Sequence, residues 1–290
     1  MQNVEKPIFI IGTGRCGSTI FHEIFSHHPQ VAWLTRWCIR YPTKPHINRL
    51  ALQLLDSPLP NGLVRKRVYP VEGYSFWEHH ARGFAEPHRD LLKEDVTQKT
   101  KKKVQSIMAE MLTSKRNRLM IKITGWPRVG FLKEIFPDAK FIHVYRDGRA
   151  VVNSLVDVYF WSGWRGPDNW RWGELTAEQR GRWESFHKSF VALAAIEWEI
   201  LMNAYDQAKQ HIPECDFMEI PYEELCQEPI KTFQKAIEFS ELDWSSQFEA
   251  RIKTFSLKNT NYKWQKDLSE EQQHILTECL DPILRRYGYA

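Results

Sequence analysis

Eight residues near the start of the chain, Gly12-Thr13-Gly14-Arg15-Cys16-Gly17-Ser18-Thr19, have the types and spacing to hold an anion. Glycines at 12, 14 and 17 let the backbone turn its N–H groups inward. Such a run cradles a phosphate or sulfate when it joins a strand to a helix N-terminus. The spacing Gly12-x-x-x-x-Gly17 also fits the loop that binds nucleoside triphosphates, but that loop continues with Lys and then Ser or Thr. Here it continues Ser18-Thr19, and the cation is Arg15, two residues before Gly17. The plain alternative is a glycine turn joining a strand to a helix. The residue types favour an anion other than ATP.

A second pair lies downstream. Arg146 closes the run Ala139-Lys140-Phe141-Ile142-His143-Val144-Tyr145, and Ser154 follows eight positions later. At a helical rise of ~1.5 Å per residue, Ser154 sits roughly two turns beyond the strand end. An arginine and a hydroxyl so placed can hold one phosphate between them. The adjacent Asp147 offers Arg146 a local ion pair as the bland alternative. A third concentration, Pro70 to His80, gathers Glu72, Tyr74, Phe76, Trp77, Glu78, His79 and His80 among aromatic neighbours.

The elements that must carry these residues alternate. Ile8-Phe9-Ile10-Ile11 reads as a strand, Ser18–Ser26 as a helix and Val31–Leu34 as a short strand. Lys99–Met111 is an amphipathic helix whose Lys101-Lys102-Lys103 face is solvated. Leu119–Thr124 is a strand, Pro127 opens a helix ending at Phe136-Pro137, and Ala139–Tyr145 is the strongest strand. The helix Ala150–Val156, a long helix or helix pair over Glu178–His211, a strand at Asp216–Ile220 and a helix over Ser269–Tyr287 complete the pattern. Alternation of this kind implies an α/β fold with a mainly parallel sheet flanked by helices. Two stretches break it. Residues 37–90, with prolines at 42, 45, 58, 60, 70 and 87, read as an irregular lobe over the sheet's carboxyl edge, and residues 158–175 as a Trp-rich insertion. No linker or repeat divides the chain, so 1–290 reads as one domain.

With 290 residues, 42% hydrophobic and 26% charged, the chain is ordinary globular material. Its formal charge of +4 is small and reads as dispersed, which argues against a nucleic-acid partner and suits a small polyanion. Twelve tryptophans and sixteen phenylalanines exceed what a core of this size needs, so some are expected to line a cleft. Cys16, Cys38, Cys215, Cys226 and Cys279 form no Cys-x-x-Cys pair, and no His cluster stands at zinc spacing. Free thiols in a reducing compartment are expected, and no metal site. The first seven residues contain no apolar run, so neither signal peptide nor membrane anchor is expected and the chain reads as cytoplasmic.

Gly-x-x-Arg-x-Gly-Ser-Thr spanning the first loop, with Tyr145-Arg146-Asp147 and Ser154 about 130 residues later, resembles the sulfotransferases that use 3′-phosphoadenosine 5′-phosphosulfate (PAPS). The resemblance implies a three-layer fold like that of P-loop nucleotide kinases, with PAPS as co-substrate. It places Gly14, Arg15, Cys16, Gly17, Ser18 and Thr19 around the 5′-phosphosulfate, and Arg146 and Ser154 on the 3′-phosphate. More loosely, Lys258, Lys263 and Trp264 resemble the family's C-terminal segment that folds over the nucleotide, which makes both lysines candidates. The lobes at 37–90 and 158–175 match nothing in the family and are expected to bind the acceptor. Cys16 stands where the family has Ser or Thr, a position whose backbone N–H does most of the work. The family's catalytic bases do not carry over: the run Lys122-Ile123-Thr124 lacks the histidine of one branch, and Thr35-Arg36 replaces the glutamate of another.

Sulfuryl transfer needs in-line alignment and neutralisation of the leaving oxygen. Arg15 and the helix after Gly17 would supply positive potential, and Lys122 could contact a sulfuryl oxygen. Glu72 is the expected base, with His79 and His80 behind it. The acceptor would be a hydroxyl or amine on a small molecule, glycan or lipid. The rival readings are a P-loop nucleotide or small-molecule kinase, for which the lysine after Gly17 is missing, and a non-catalytic nucleotide-binding module.

Overall fold

The unbroken apolar run at residues 8–11 suits a strand covered on both faces, and in the computed structural model it lies at the centre of the sheet with every residue buried. The structure describes residues 3–57, 64–85 and 88–290. The strands are β1 (Ile8–Gly12), β2 (Val31–Ala32), β3 (Arg118–Thr124), β4 (Lys140–Tyr145) and β5 (Phe217–Pro221). Their order is β2-β3-β1-β4-β5, with all pairings parallel. The sheet is flanked by helices, as the alternation requires. β1 lies between β3 and β4, so the strand order reverses there. The carboxyl ends at such a point leave a crevice for ligand. Gly12 pairs with Thr124, and Ile11 with His143, so the first loop, the end of β3 and Arg146 open on the same edge.

Behind the first loop runs α1 (Ser18–Phe25), packed on β1 and β3 through Phe21, Ile24 and Phe25. After Arg146 comes α7 (Gly148–Val156), capped by the Asp147 side chain, which accepts from Arg149 N. It packs against the long α9 (Phe190–Gln210), which also carries α14 (Glu270–Arg286). The expected helix over 178–211 is a pair. α8 (Ala177–Ser185) and α9 are separated where His187 and Lys188 take left-handed backbone angles (φ 52° and 57°).

The lobe expected to be irregular is about half helical among its described residues. It holds α2 (Arg36–Arg40), α3 (Pro45–Leu55) and α4 (Tyr74–His80). Proline density misleads here because Pro45 opens α3, where its missing N–H costs nothing, and Pro70 bridges to Thr35 in an extended segment. Pro58, Pro60 and Pro87 lie outside the described residues. Strand β2 is shorter than expected. Beyond it Asn48 takes over the hydrogen bonding, donating to Trp33 O and accepting from Thr35 N, both at 2.9 Å. The insertion at 158–175 is irregular, with single 3-10 turns at Gly163–Arg165 and Pro167–Asn169. The remaining helices are α5 (Gln98–Glu110), α6 (Val129–Ile135), α10 (Tyr222–Gln227), α11 (Pro229–Phe239), α12 (Ser246–Ile252) and α13 (Trp264–Asp267). No helix among the described residues is long and apolar enough to cross a membrane.

Candidate active site

The turn after β1 is built for close approach. Gly14, Arg15 and Gly17 all have positive φ (85°, 56° and 91°). A side chain at Gly17 would strike the Tyr222 ring, with an added Cβ 2.2 Å from Cδ2. Arg15 holds the left-handed conformation without being glycine, a strain of about 1 kcal/mol or more that functional loops tolerate. Gly17 caps α1 without any side-chain hydrogen bond to the helix, and no acid stands in the first turn. The exposed N–H groups and helix dipole therefore face the crevice unneutralised. Cys16 is fully buried and turned away from it.

Arg146 lies beside this loop, buried, with its guanidinium 4.7 Å from the Tyr222 ring. Its Nη1 donates to the Arg15 carbonyl at 3.4 Å, its Nε to Asn261 Oδ1 at 2.8 Å and its Nη2 to Thr260 Oγ1 at 3.0 Å. The bland alternative fails: Asp147 pairs with Arg149 at 2.8 Å. Ser154 Oγ accepts from Arg15 Nε at 2.9 Å, so the two anchors of the sequence pattern are joined through the first loop. On the other side of the loop, Lys122 at 6% exposure donates to Thr19 Oγ1 at 2.7 Å and pairs with Glu72 at 2.6 Å. Glu72 Oε2 also accepts from Thr124 Oγ1 at 3.2 Å. Tyr74 fixes the end of β3, its hydroxyl donating to Thr124 O at 2.6 Å and accepting from Thr124 N at 2.9 Å. Burial, reinforced by the nearby Glu72, pushes its phenol up to about 12, so it is neutral at physiological pH.

Arg15, Ser18, Thr19, Glu72 and Tyr74 line a cleft of about 440 Å³ together with Phe160, Trp161, Trp170 and Trp172, while Arg146, Ser154 and Lys122 lie outside its lining. Residues 7–246, which include the loop, the Arg146 anchor and the cleft lining, match the model of the sulfotransferase family. The chain belongs to the sulfotransferase family. It is 22% identical over 310 residues to the omega-hydroxy-beta-dihydromenaquinone-9 sulfotransferase Stf3 of Mycobacterium bovis, across 98% of this chain and 76% of that one. In structure it resembles sulfotransferase STF9 from Mycobacterium avium, with TM-score 0.60 and 18% identity over 96% of this chain and 77% of the other. It also resembles the sulfotransferase domain of the curacin biosynthetic pathway, with TM-score 0.53 and 12% identity over 99% of both chains. The P-loop-like fold expected from the sequence is the fold of these sulfotransferases.

In this sulfotransferase-family chain the remaining expected residues separate. Glu72 lines the cleft with Arg15, and Lys122 is buried behind that lining, held by Glu72 and Thr19. His79 is exposed, and His80 is buried with its Nε2 2.8 Å from Pro42 O; neither lines the cleft. Lys258 and Lys263 are exposed, and their segment reaches Arg146 through Thr260 and Asn261 instead. Thr260, Asn261 and Tyr222 carry no motif that sequence reading could have found. Glu197 was readable and missed as a cleft residue. It interrupts the apolar run Val191–Ile196 on α9, and its carboxyl lines the cleft at 2% exposure. It accepts from Trp161 Nε1 at 2.9 Å and from Trp172. Burial pushes that carboxyl up to about 8, against these bonds and the charge of Arg171.

Proposed function

We propose that the chain transfers a sulfuryl group from PAPS to a hydroxyl, or an amine, of a small-molecule, glycan or lipid acceptor. The observation that carries this reading is Arg146. It is a buried guanidinium whose hydrogen bonds go only to neutral atoms, and it touches the anion loop while pairing with no carboxylate among the described residues. A buried cation without a counter-charge is costly unless an anion completes it. Its position supports a second phosphate beside the one the loop would take, which is the pattern of an adenosine carrying 5′ and 3′ groups.

PAPS would supply the sulfuryl group and a leaving 5′-phosphate. Backbone N–H groups of residues 14–19 and the α1 N-terminus would hold the 5′ end, with Arg146 and Ser154 on the 3′-phosphate. Arg15, always protonated, would neutralise the leaving oxygen. Lys122 ties Thr19 to Glu72, so the loop and the base are fixed relative to each other. Glu72 would take the proton of the acceptor. The aromatic wall opposite favours an acceptor with apolar surface. The relative Stf3 is named for a menaquinone derivative bearing a terminal hydroxyl, which supports a lipid alcohol as the acceptor class.

Calorimetry tests the donor. Each charge-assisted phosphate contact is worth ~1.5–3 kcal/mol, so adenosine 3′,5′-bisphosphate should bind at least ~10-fold more tightly than AMP. Equal affinities would overturn the assignment.

A further inference from the structure

The lobe that leads into the cleft combines exposed apolar side chains with cations on its outer surface. Helix α3 carries two apolar faces where a surface helix needs one. Ala51, Leu52 and Leu55 enter the core, while Ile47, Leu50 and Leu54 form a second stripe facing outward. Leu50 is 55% exposed and Leu54 47%, and Ile39 and Tyr69 beside them are 45% and 43% exposed. Two shallow hollows of about 680 and 760 Å³ lie among these residues and share Trp37 and Arg67 in their walls. The second ends at Val71, the residue before Glu72 of the cleft.

The charge of +4 is not dispersed as the sequence suggested. Residues 36–71 hold seven Arg or Lys against one Asp, a balance of +6 against +4 overall, so the remainder of the chain is net negative. The single acid, Asp56, is taken by Arg116 at 2.9 Å. Arg36, Arg40, Lys44, Arg49, Lys66 and Arg67 are all exposed, and none pairs with a carboxylate among the described residues. Exposed aliphatic side chains ringed by unpaired cations match a surface that is apolar inside and anionic at its edge. A second copy of this face is disfavoured, because pairing would set one cationic ring against another.

We propose that this lobe seats the protein on the surface of a bilayer containing anionic phospholipid, with Leu50, Leu54 and Ile39 in the headgroup layer and the arginines on lipid phosphates. The seat would present the cleft to an acceptor that stays in the membrane. This part rests on the lipid-acceptor reading above; the docking itself does not.

Vesicle co-sedimentation tests the docking. The intact chain should partition onto phosphatidylcholine vesicles containing about one-third phosphatidylglycerol at least ~10-fold more strongly than onto phosphatidylcholine alone. At ~1 kcal/mol per basic residue near such a surface, Arg40→Glu with Arg67→Glu should lower partitioning at least ~10-fold, and so should Leu50→Glu with Leu54→Glu. Neither pair should change affinity for adenosine 3′,5′-bisphosphate, which reports on folding and on the nucleotide site separately. Partitioning indifferent to lipid charge, or unchanged in both variants, would overturn the proposal. So would self-association that Leu50→Glu with Leu54→Glu abolishes in a chain that does not bind vesicles, since the occupant would then be a second copy.

Discussion

Two carboxyls in one cleft have opposite surroundings. Glu72 is half-buried and held between Lys122 and Thr124, whereas Glu197 is buried against indole N–H groups. A carboxylate that must accept a proton beside the loop is the better fit to Glu72, so Glu72→Gln should lower turnover ~100-fold or more while leaving nucleotide affinity unchanged. Near-normal turnover would remove it from the role. Glu197 gives a stability prediction. Its folded pKa of about 8 lies above the ordinary carboxylate value, so the protonated form is the one the fold favours. The stability it contributes is full below the unfolded pKa and is lost as pH rises toward about 8. Glu197→Gln cannot ionise. Its melting temperature should therefore gain on the wild type across that window, by about 2–4 °C for each kcal/mol involved. Parallel melting curves from pH 5 to pH 8 would show that burial does not penalise the charge.

At the scale of elements, the site is a junction of three segments remote in sequence: the β1–α1 loop, the end of β4 with α7, and residues 258–264. Tyr222, on α10, ties them. Its ring backs Gly17, carries Arg146 and sends its hydroxyl to Lys258 O at 3.1 Å. Glu223 completes the junction, accepting from Asn261 and from Tyr289. Because neutral side chains hold Arg146 from both sides, Arg146→Ala should leave the fold intact and weaken adenosine 3′,5′-bisphosphate at least ~10-fold. Arg15→Ala should mainly lower turnover. If Arg15→Ala cost affinity and left turnover intact, the leaving group would have to be placed elsewhere.

For the whole molecule, an all-parallel sheet puts every strand's carboxyl end on one edge, and the first loop, Glu72, Lys122 and Arg146 all lie along it. Positive charge there comes from side chains and backbone. Among the described residues no three His, Cys, Asp or Glu side chains gather as a metal site. The first loop continues Ser18-Thr19 where a nucleoside-triphosphate loop has the Lys-Ser/Thr pair that serves magnesium, so transfer assayed with PAPS and an alcohol is expected to persist in EDTA. A strict magnesium requirement would favour the kinase reading.

The sequence alone determined what depends on neighbouring residues. An apolar run entering Gly12-x-Gly14-Arg15-x-Gly17 specifies a strand, a turn with positive φ and a helix that starts at that turn, since each step is decided within a few positions. The strand ending at Arg146 and the alternation of elements were legible for the same reason, and with them the α/β fold. Tertiary structure alone decided the partners. That Arg146 rests on Thr260 and Asn261 instead of Asp147, that Lys122 bridges Thr19 to Glu72, and that His80 faces Pro42 are contacts between segments with no shared periodicity. Helix α3 shows the same limit, because spacing reveals two apolar stripes but not which one the core takes. Packing chose Leu52 and Leu55 for the inside and left Leu50 and Leu54 to solvent.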